Sequence, residues 1–185
     1  MAAAALLFIA ACAWTGAFLY GALGRLPAAL PAAAEERCVL RGIAIRRETR
    51  LAPVPGAQDG RRLRCEGGPG VYFADCDGYE ALTPETAEAL GPGALSALLD
   101  APPGERTGAR LVEDAAWYYA ALLPAGAQIP EPGPCRLRFE GFADSVPARL
   151  LRVREENGET LLLFRLTEGG DYLRIRKIEA ETERS

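Results

Sequence analysis

The sequence predicts a mainly β protein: a small antiparallel β-barrel with a short helical insertion, preceded by one N-terminal transmembrane helix. Three observations carry this. Apolar and polar residues alternate in several short runs after residue 38, the mark of half-buried strands. One interval near residues 81–104 changes to helical signals. The first 24 residues carry no charged side chain.

That opening segment, MAAAALLFIAACAWTGAFLYGALG, exceeds the roughly 20 residues a helix needs to cross a bilayer. No positive n-region precedes it, so an uncleaved single-pass anchor is the best reading. A cleaved signal peptide using PAAAE (31–35), or a lipoprotein signal built on IAAC (9–12), are the alternatives. Residues 25–37 are Ala/Pro-rich and read as a linker. The nearby charges do not settle the orientation of the anchor.

Beyond the linker, CVLRGIAIRRETRLAPVPG reads as a strand stopped by Pro53 and Pro55. A short strand through Leu63 and Cys65 lies between turns at Asp59-Gly60 and Gly67–Gly70, and VYFADC resumes as a strand. Thr83-Pro84-Glu85 is a helix start: a hydroxyl N-cap, proline at the first position and an acid in the first turn. PETAEAL runs to Gly91-Pro92-Gly93, and ALSALLD forms a second short helix. From Arg110 strands dominate. ARLVED is one. WYYAALL (117–123) is rich in aromatic and apolar residues, stops before Pro124, and reads as barrel core rather than a ligand-stacking surface. In CRLRFEGF, Cys135, Leu137 and Phe139 share one face. Asn157-Gly158 between apolar runs is a strong hairpin signal, and DYLRIRKIEAE supplies a last strand.

Composition narrows the chemistry. The 185 residues fit one domain with a small accessory part. With 21 basic and 25 acidic residues the net charge is −4, which argues against a nucleic-acid partner. Twenty basic residues are Arg, a bias we attribute to a GC-rich genome. Histidine is absent, which removes Ser-His-Asp and Cys-His catalysis, His-ligated zinc and proximal-His haem. Sortase and Cys-His L,D-transpeptidase chemistry fall with them. Cys12, Cys38, Cys65, Cys76 and Cys135 form no C-x-x-C, so neither a zinc knuckle nor a thioredoxin motif is present. Disulfides and buried thiols both remain open.

The densest chemical stretch is FADCDGYEALTPE (73–85). Aligning Gly78 to the sixth position of a calcium loop puts Phe73 first and Pro84 twelfth, and neither offers a side-chain ligand. Cys76 stands between Asp75 and Asp77, whose charge disfavours its thiolate. Acid pairs such as Glu155-Glu156 lie in a turn, and Glu179, Glu181 and Glu183 in a charged tail, where solvation accounts for them. No catalytic, cofactor-binding or metal-binding residue is assigned. The expectation is a non-catalytic, anchored binding or scaffolding protein.

Several stretches together resemble the HlyD-like membrane fusion proteins, the periplasmic adaptor subunits of efflux and secretion systems, in their clostridial-type form. GIAIRRETRLAP (42–53) is similar to the entry into the first half of a lipoyl-like domain. GVYFADCDGYEALTPE (70–85), with Asp77, Gly78, Tyr79, Glu80, Thr83 and Pro84, is similar to the exit from its second half. RLVEDAAWYYAALLPA (110–125), with Trp117 and Tyr118, looks like the opening of the barrel, followed by GPCRLRFEGFADSVPARLLRV and LLLFRLTEGGDYLRIRKIEAE. The resemblance covers most of residues 39–181, in the family's order. It implies residues 38–80 as a reduced lipoyl-like β region, 81–104 as the helical insertion and 105–185 as the barrel domain. Family members carry a long coiled-coil hairpin between the lipoyl halves, whereas only residues 53–69 stand there, and the chain stops where adaptors continue into a further β-segment. The implied protein is single-pass in the cell membrane with an extracytoplasmic carboxyl-terminal domain. It binds a transporter or another envelope complex, with homo-oligomers possible for the family and no cofactor. The alternative is a structural cell-envelope or cell-division factor that kept the barrel and lost transport.

Overall fold

The computed structural model describes residues 38–65, 68–113, 115–168 and 170–183. The expected anchor (1–24) and linker (25–37) lie outside the described residues. Among those described, no helix is long and apolar enough to cross a membrane.

Among the described residues ten strands form two sheets. A closed barrel runs β1 (Val39–Ile45), β10 (Lys177–Glu183), β7 (Gly133–Phe139), β8 (Val146–Glu156), β9 (Glu159–Leu166) and β6 (Trp117–Leu123), and back to β1. All the neighbouring barrel strands pair antiparallel. A second sheet of four strands has the order β2 (Glu48–Leu51), β5 (Ala109–Val112), β4 (Gly68–Phe73) and β3 (Arg62–Cys65). Helices α1 (Pro84–Ala89) and α2 (Pro92–Asp100) lie inside the 81–104 interval read as helical.

The mainly β class and the barrel therefore agree with the sequence, but the parts are distributed differently. The run through 39–51, read as one strand, is two. It breaks at Arg46-Arg47, where the chain leaves the barrel for the small sheet. Strand β1 thus closes the barrel, although its residues read as lipoyl-like. Strand β5, read as part of the barrel segment, pairs with β2 and β4 instead. Of DYLRIRKIEAE only Lys177 onward is strand, because Gly170–Arg174 forms a 3-10 turn.

Period-2 alternation explains the barrel. Leu40 and Ala44 of β1 point inward with Trp117, Tyr119 and Ala121 of β6, Leu137 and Phe139 of β7, and Leu162, Phe164 and Leu166 of β9. Tyr119 meets Phe139 edge-on at 5.1 Å, and its hydroxyl reaches the carbonyls of Leu40 (3.1 Å) and Ile178 (2.8 Å). The interior is a packed core rather than a channel. Gly42 makes this possible, since a Cβ there would lie 2.6 Å from the Tyr119 ring and 2.5 Å from the Ala120 carbonyl.

The outward residues Ile43, Ile45, Ala120, Leu161 and Leu163 are also apolar, because the two helices cover them with Ala87, Leu95 and Leu99. Helix α1 starts as its sequence indicates. The Thr83 side chain accepts from Thr86 N–H, the Thr86 hydroxyl accepts from Thr83 N–H, and Pro84 opens the helix. Its C-terminal carbonyls are met by β8: Arg152 donates to Glu88 O, and Arg154 to Ala89 O (3.1 Å) and Leu90 O (3.2 Å). The hairpin at Asn157-Gly158 joins Glu156 to Glu159 with φ of 52° and 81°, the left-handed pair that a type I′ turn requires.

Candidate functional site: a buried ion cluster at the barrel mouth

Strand parity sets which charges meet. Leu40, Gly42 and Ala44 face into the barrel, so the next residue in that series, Arg46, lies at its mouth, fully buried. Its guanidinium stacks 4.4 Å over Trp117 and donates to the carbonyls of Ile175 (2.8 Å) and Tyr172 in the 3-10 turn region. Trp117 in turn donates its indole N–H to Glu168 O. Burial pulls the Arg46 pKa down to about 9, and Arg176 pushes the same way while Glu48 opposes.

In the small sheet Glu48 lies opposite Val112, and Val112 opposite Val71. Arg50 lies opposite Arg110, and Arg110 opposite Phe73. These side chains share one face, and on it Val71, Phe73 and Val112 pack with Leu173 of the 3-10 turn. Glu48 and Arg110 are thus carried on the same face as an apolar cluster, with side chains only 1% and 4% exposed. Arg176, 9% exposed, precedes β10 and is tied to β1 by Ala44 N–H to Arg176 O at 2.9 Å.

The loop after β4 completes the cluster. Asp77 Oδ1 accepts from Tyr79 N–H (3.1 Å), and Glu80 Oε1 accepts from the N–H groups of Asp77 (2.7 Å) and Gly78 (3.2 Å). Gly78 sits at φ +85° with its Cα side against Gly104, where a Cβ would lie 2.6 Å from Gly104 N. The other carboxylate oxygen, Asp77 Oδ2, pairs with both Arg110 and Arg176. Arg176 also pairs with Glu48, and Arg110 Nη1 stands 3.9 Å from Glu48 and 4.0 Å from Glu80. Arg50 reaches Glu80 at 3.2 Å from the solvent side.

Each carboxyl responds to its own balance. Burial pushes the Glu48 carboxyl above its ordinary value despite Arg176 and Arg110. Burial acts on Asp77 in the same sense, but the bonds and charges of Arg176 and Arg110 outweigh it and hold Asp77 below. For Glu80 burial is outweighed by the backbone N–H donors of Glu80, Asp77 and Gly78.

The oxygens of Glu48, Asp77 and Glu80 approach within 4.8 Å of one another, close enough to share a cation. Arg110 Nη1 contacts all three and so already fills the role of that cation. The compensation is one of charge proximity: Arg110 Nε and Nη1, both Glu48 carboxylate oxygens and Arg176 Nη2 are buried without a hydrogen bond of regular geometry. Cys76 lies beside the cluster, 1% exposed, with its thiol donating to Ala109 O at 3.4 Å. Burial and the Glu80 charge both raise its pKa, so the thiol stays neutral. Cys38 and Cys135 pack against the barrel core, and Cys135 is a free thiol.

Of the residues singled out from sequence, Asp77 and Glu80 enter the cluster and Gly78 shapes its loop. Trp117 carries Arg46. Tyr79 is buried under the helices, 5.3 Å from Lys177 Nζ, and Tyr118 is half-buried on the outer wall of the barrel. Thr83 and Pro84 serve only the helix start. Sequence reading missed Arg46, Glu48, Arg110 and Arg176, which come from three separate segments. The one local sign was Arg46, which continues the inward series of β1.

Fold and site together define a β-barrel with a four-stranded sheet built into its chain path, and a charge-compensated cluster where the two meet. No family model, curated protein or solved structure matches the chain.

Proposed function

We propose that this chain is a non-catalytic, membrane-anchored adaptor-like protein. In this reading it resembles the HlyD-family adaptors and binds a membrane transporter or envelope complex outside the cytoplasm. The observation that carries the reading is the nested chain path. The chain leaves the barrel after β1, builds β2 to β4, adds the helices and β5, and returns to the barrel at β6. Three of the four strands of the small sheet, β2 to β4, lie within residues 38–80, the stretch that the resemblance reads as lipoyl-like.

The chemistry of the site supports a binding role over a catalytic one. Arginines compensate the clustered carboxylates, and the adjacent thiol is neutral and buried. A buried, paired cluster of this kind fixes how two elements dock rather than turning over a substrate. The test is co-purification of the tagged full chain from mildly solubilised native membranes. Enrichment of one transporter or envelope protein over a tagged control is the expected result. If no membrane protein is enriched, the adaptor reading fails.

A further inference from the structure

Arg149 of β8 and Arg165 of β9 are directly opposed on the outer wall of the barrel, and both are exposed. Side chains so paired have Cβ atoms about 5 Å apart, and like charges there repel. Other arginines of the barrel strands are engaged: Arg41 with Asp100, Arg138 with Glu183, Arg154 with Glu156, and Arg152 with the end of α1. Among the described residues Arg149 and Arg165 have no hydrogen-bond or ion-pair partner. Within the barrel strands, where the other arginines have partners, these two adjacent cations are left uncompensated.

The surroundings are those of a contact surface. Leu150 faces the core, and a register shift between Leu150 and Arg152 turns Leu151 outward, 40% exposed. Pro147, two residues before Arg149, is exposed, and half-buried Tyr118 lies opposite Arg165. Arginine and tyrosine are residue types that concentrate binding energy in protein interfaces, and the exposed leucine adds apolar area beside them.

We propose that this face, centred on Arg149 and Arg165, docks an acidic, partly apolar extended segment of a protein partner. Two guanidinium forks can hold carboxylates of such a segment while Leu151 and Pro147 meet its apolar residues. An anionic bilayer is the weaker occupant. Membrane attraction accumulates at about 1 kcal/mol per cation, only two cations are free here, and the net charge repels the surface. The proposal rests on the binding-adaptor reading and names the face that does the binding.

The test uses the full chain in nanodiscs of zwitterionic lipid and a fluorescein-labelled peptide of alternating glutamate and valine, read by anisotropy. The wild type is expected to bind the peptide, more weakly as salt rises, and not to bind a lysine–valine peptide. R149Q/R165Q raises the peptide Kd at least tenfold, while R61Q/R64Q, which removes two exposed cations of the small-sheet region, leaves it within twofold. Equal losses in both double variants, or no peptide binding by the wild type, overturn the proposal. So does association with phosphatidylglycerol vesicles that depends on Arg149 and Arg165. If R149Q/R165Q still enriches the same membrane protein as the wild type, the face is wrong and the adaptor reading stands. If the wild type enriches none while peptide binding needs both arginines, the adaptor reading falls and the face stands.

Discussion

Arg110→Met tests whether the ion cluster is a charge-compensated joint. Methionine keeps much of the side-chain volume and the packing over Phe73, whose ring lies 5.2 Å from the guanidinium, but removes the charge. Arg110 is 4% exposed and faces Glu48, Asp77 and Glu80. Removing one member of a buried pair costs about 3–5 kcal/mol because its partner stays buried and unpaired. Here Arg176 still pairs with Glu48 and Asp77, and Arg50 with Glu80, so the loss falls near the lower end, about 3 kcal/mol at pH 7. A domain near this size loses about 2–4 °C of Tm per kcal/mol, so calorimetry should show a fall of roughly 10 °C. The loss also depends on pH. Glu48 is already raised by burial, and without Arg110 it rises further, so protonation relieves the variant as pH falls. Urea unfolding should find a smaller difference from wild type at pH 5 than at pH 7.5. Adding Glu48→Gln should recover part of the deficit at pH 7.5. A Tm loss under about 2 °C, or a deficit that grows on acidification, would refute the charge-compensation argument.

Two further outcomes follow from single contacts. Asp77→Asn should lower stability at pH 7 by about 2 kcal/mol, the scale of hydrogen bonds to a charged group. The folded carboxyl lies below its unfolded value, so its contribution is present above about pH 4 and lost as pH falls through the folded value; denaturation curves of variant and wild type should then converge on acidification below the ordinary carboxyl range. Gly42→Ala forces a methyl against the Tyr119 ring and the Ala120 carbonyl and should cost about 1–3 kcal/mol in urea unfolding. Combined with Tyr119→Ala, whose own loss is larger, the added cost of Gly42→Ala should shrink, since the ring it strikes is gone.

Much of the barrel was legible because its signals are local. The alternation in Cys135–Phe139, the aromatic run Trp117–Tyr119 and the Asn157-Gly158 turn each depend on neighbours within a few residues. The Thr83-Pro84-Glu85 helix start is of the same kind. Strands β1 and β5 were assigned to the wrong sheet, because a strand's pattern shows which faces are buried and not which strand lies beside it. Ile43 and Ile45 illustrate this: they are apolar on the outward face, where helices distant in sequence cover them.

FADCDGYEALTPE shows the same division within the site. Its own residues determine the loop, in which Glu80 gathers two backbone N–H groups, Gly78 takes a positive φ and Thr83 caps α1. What Asp77 and Glu80 do with their remaining charge was decided by Arg110 and Arg176, thirty and more residues away. The sequence by itself determined a β-rich chain with a short helical interval, because hydrophobic period and turn chemistry act over a few residues. Tertiary structure alone decided that the acids face guanidinium, because burial and Coulomb attraction depend on distance in space, and closing the barrel brought those charges together.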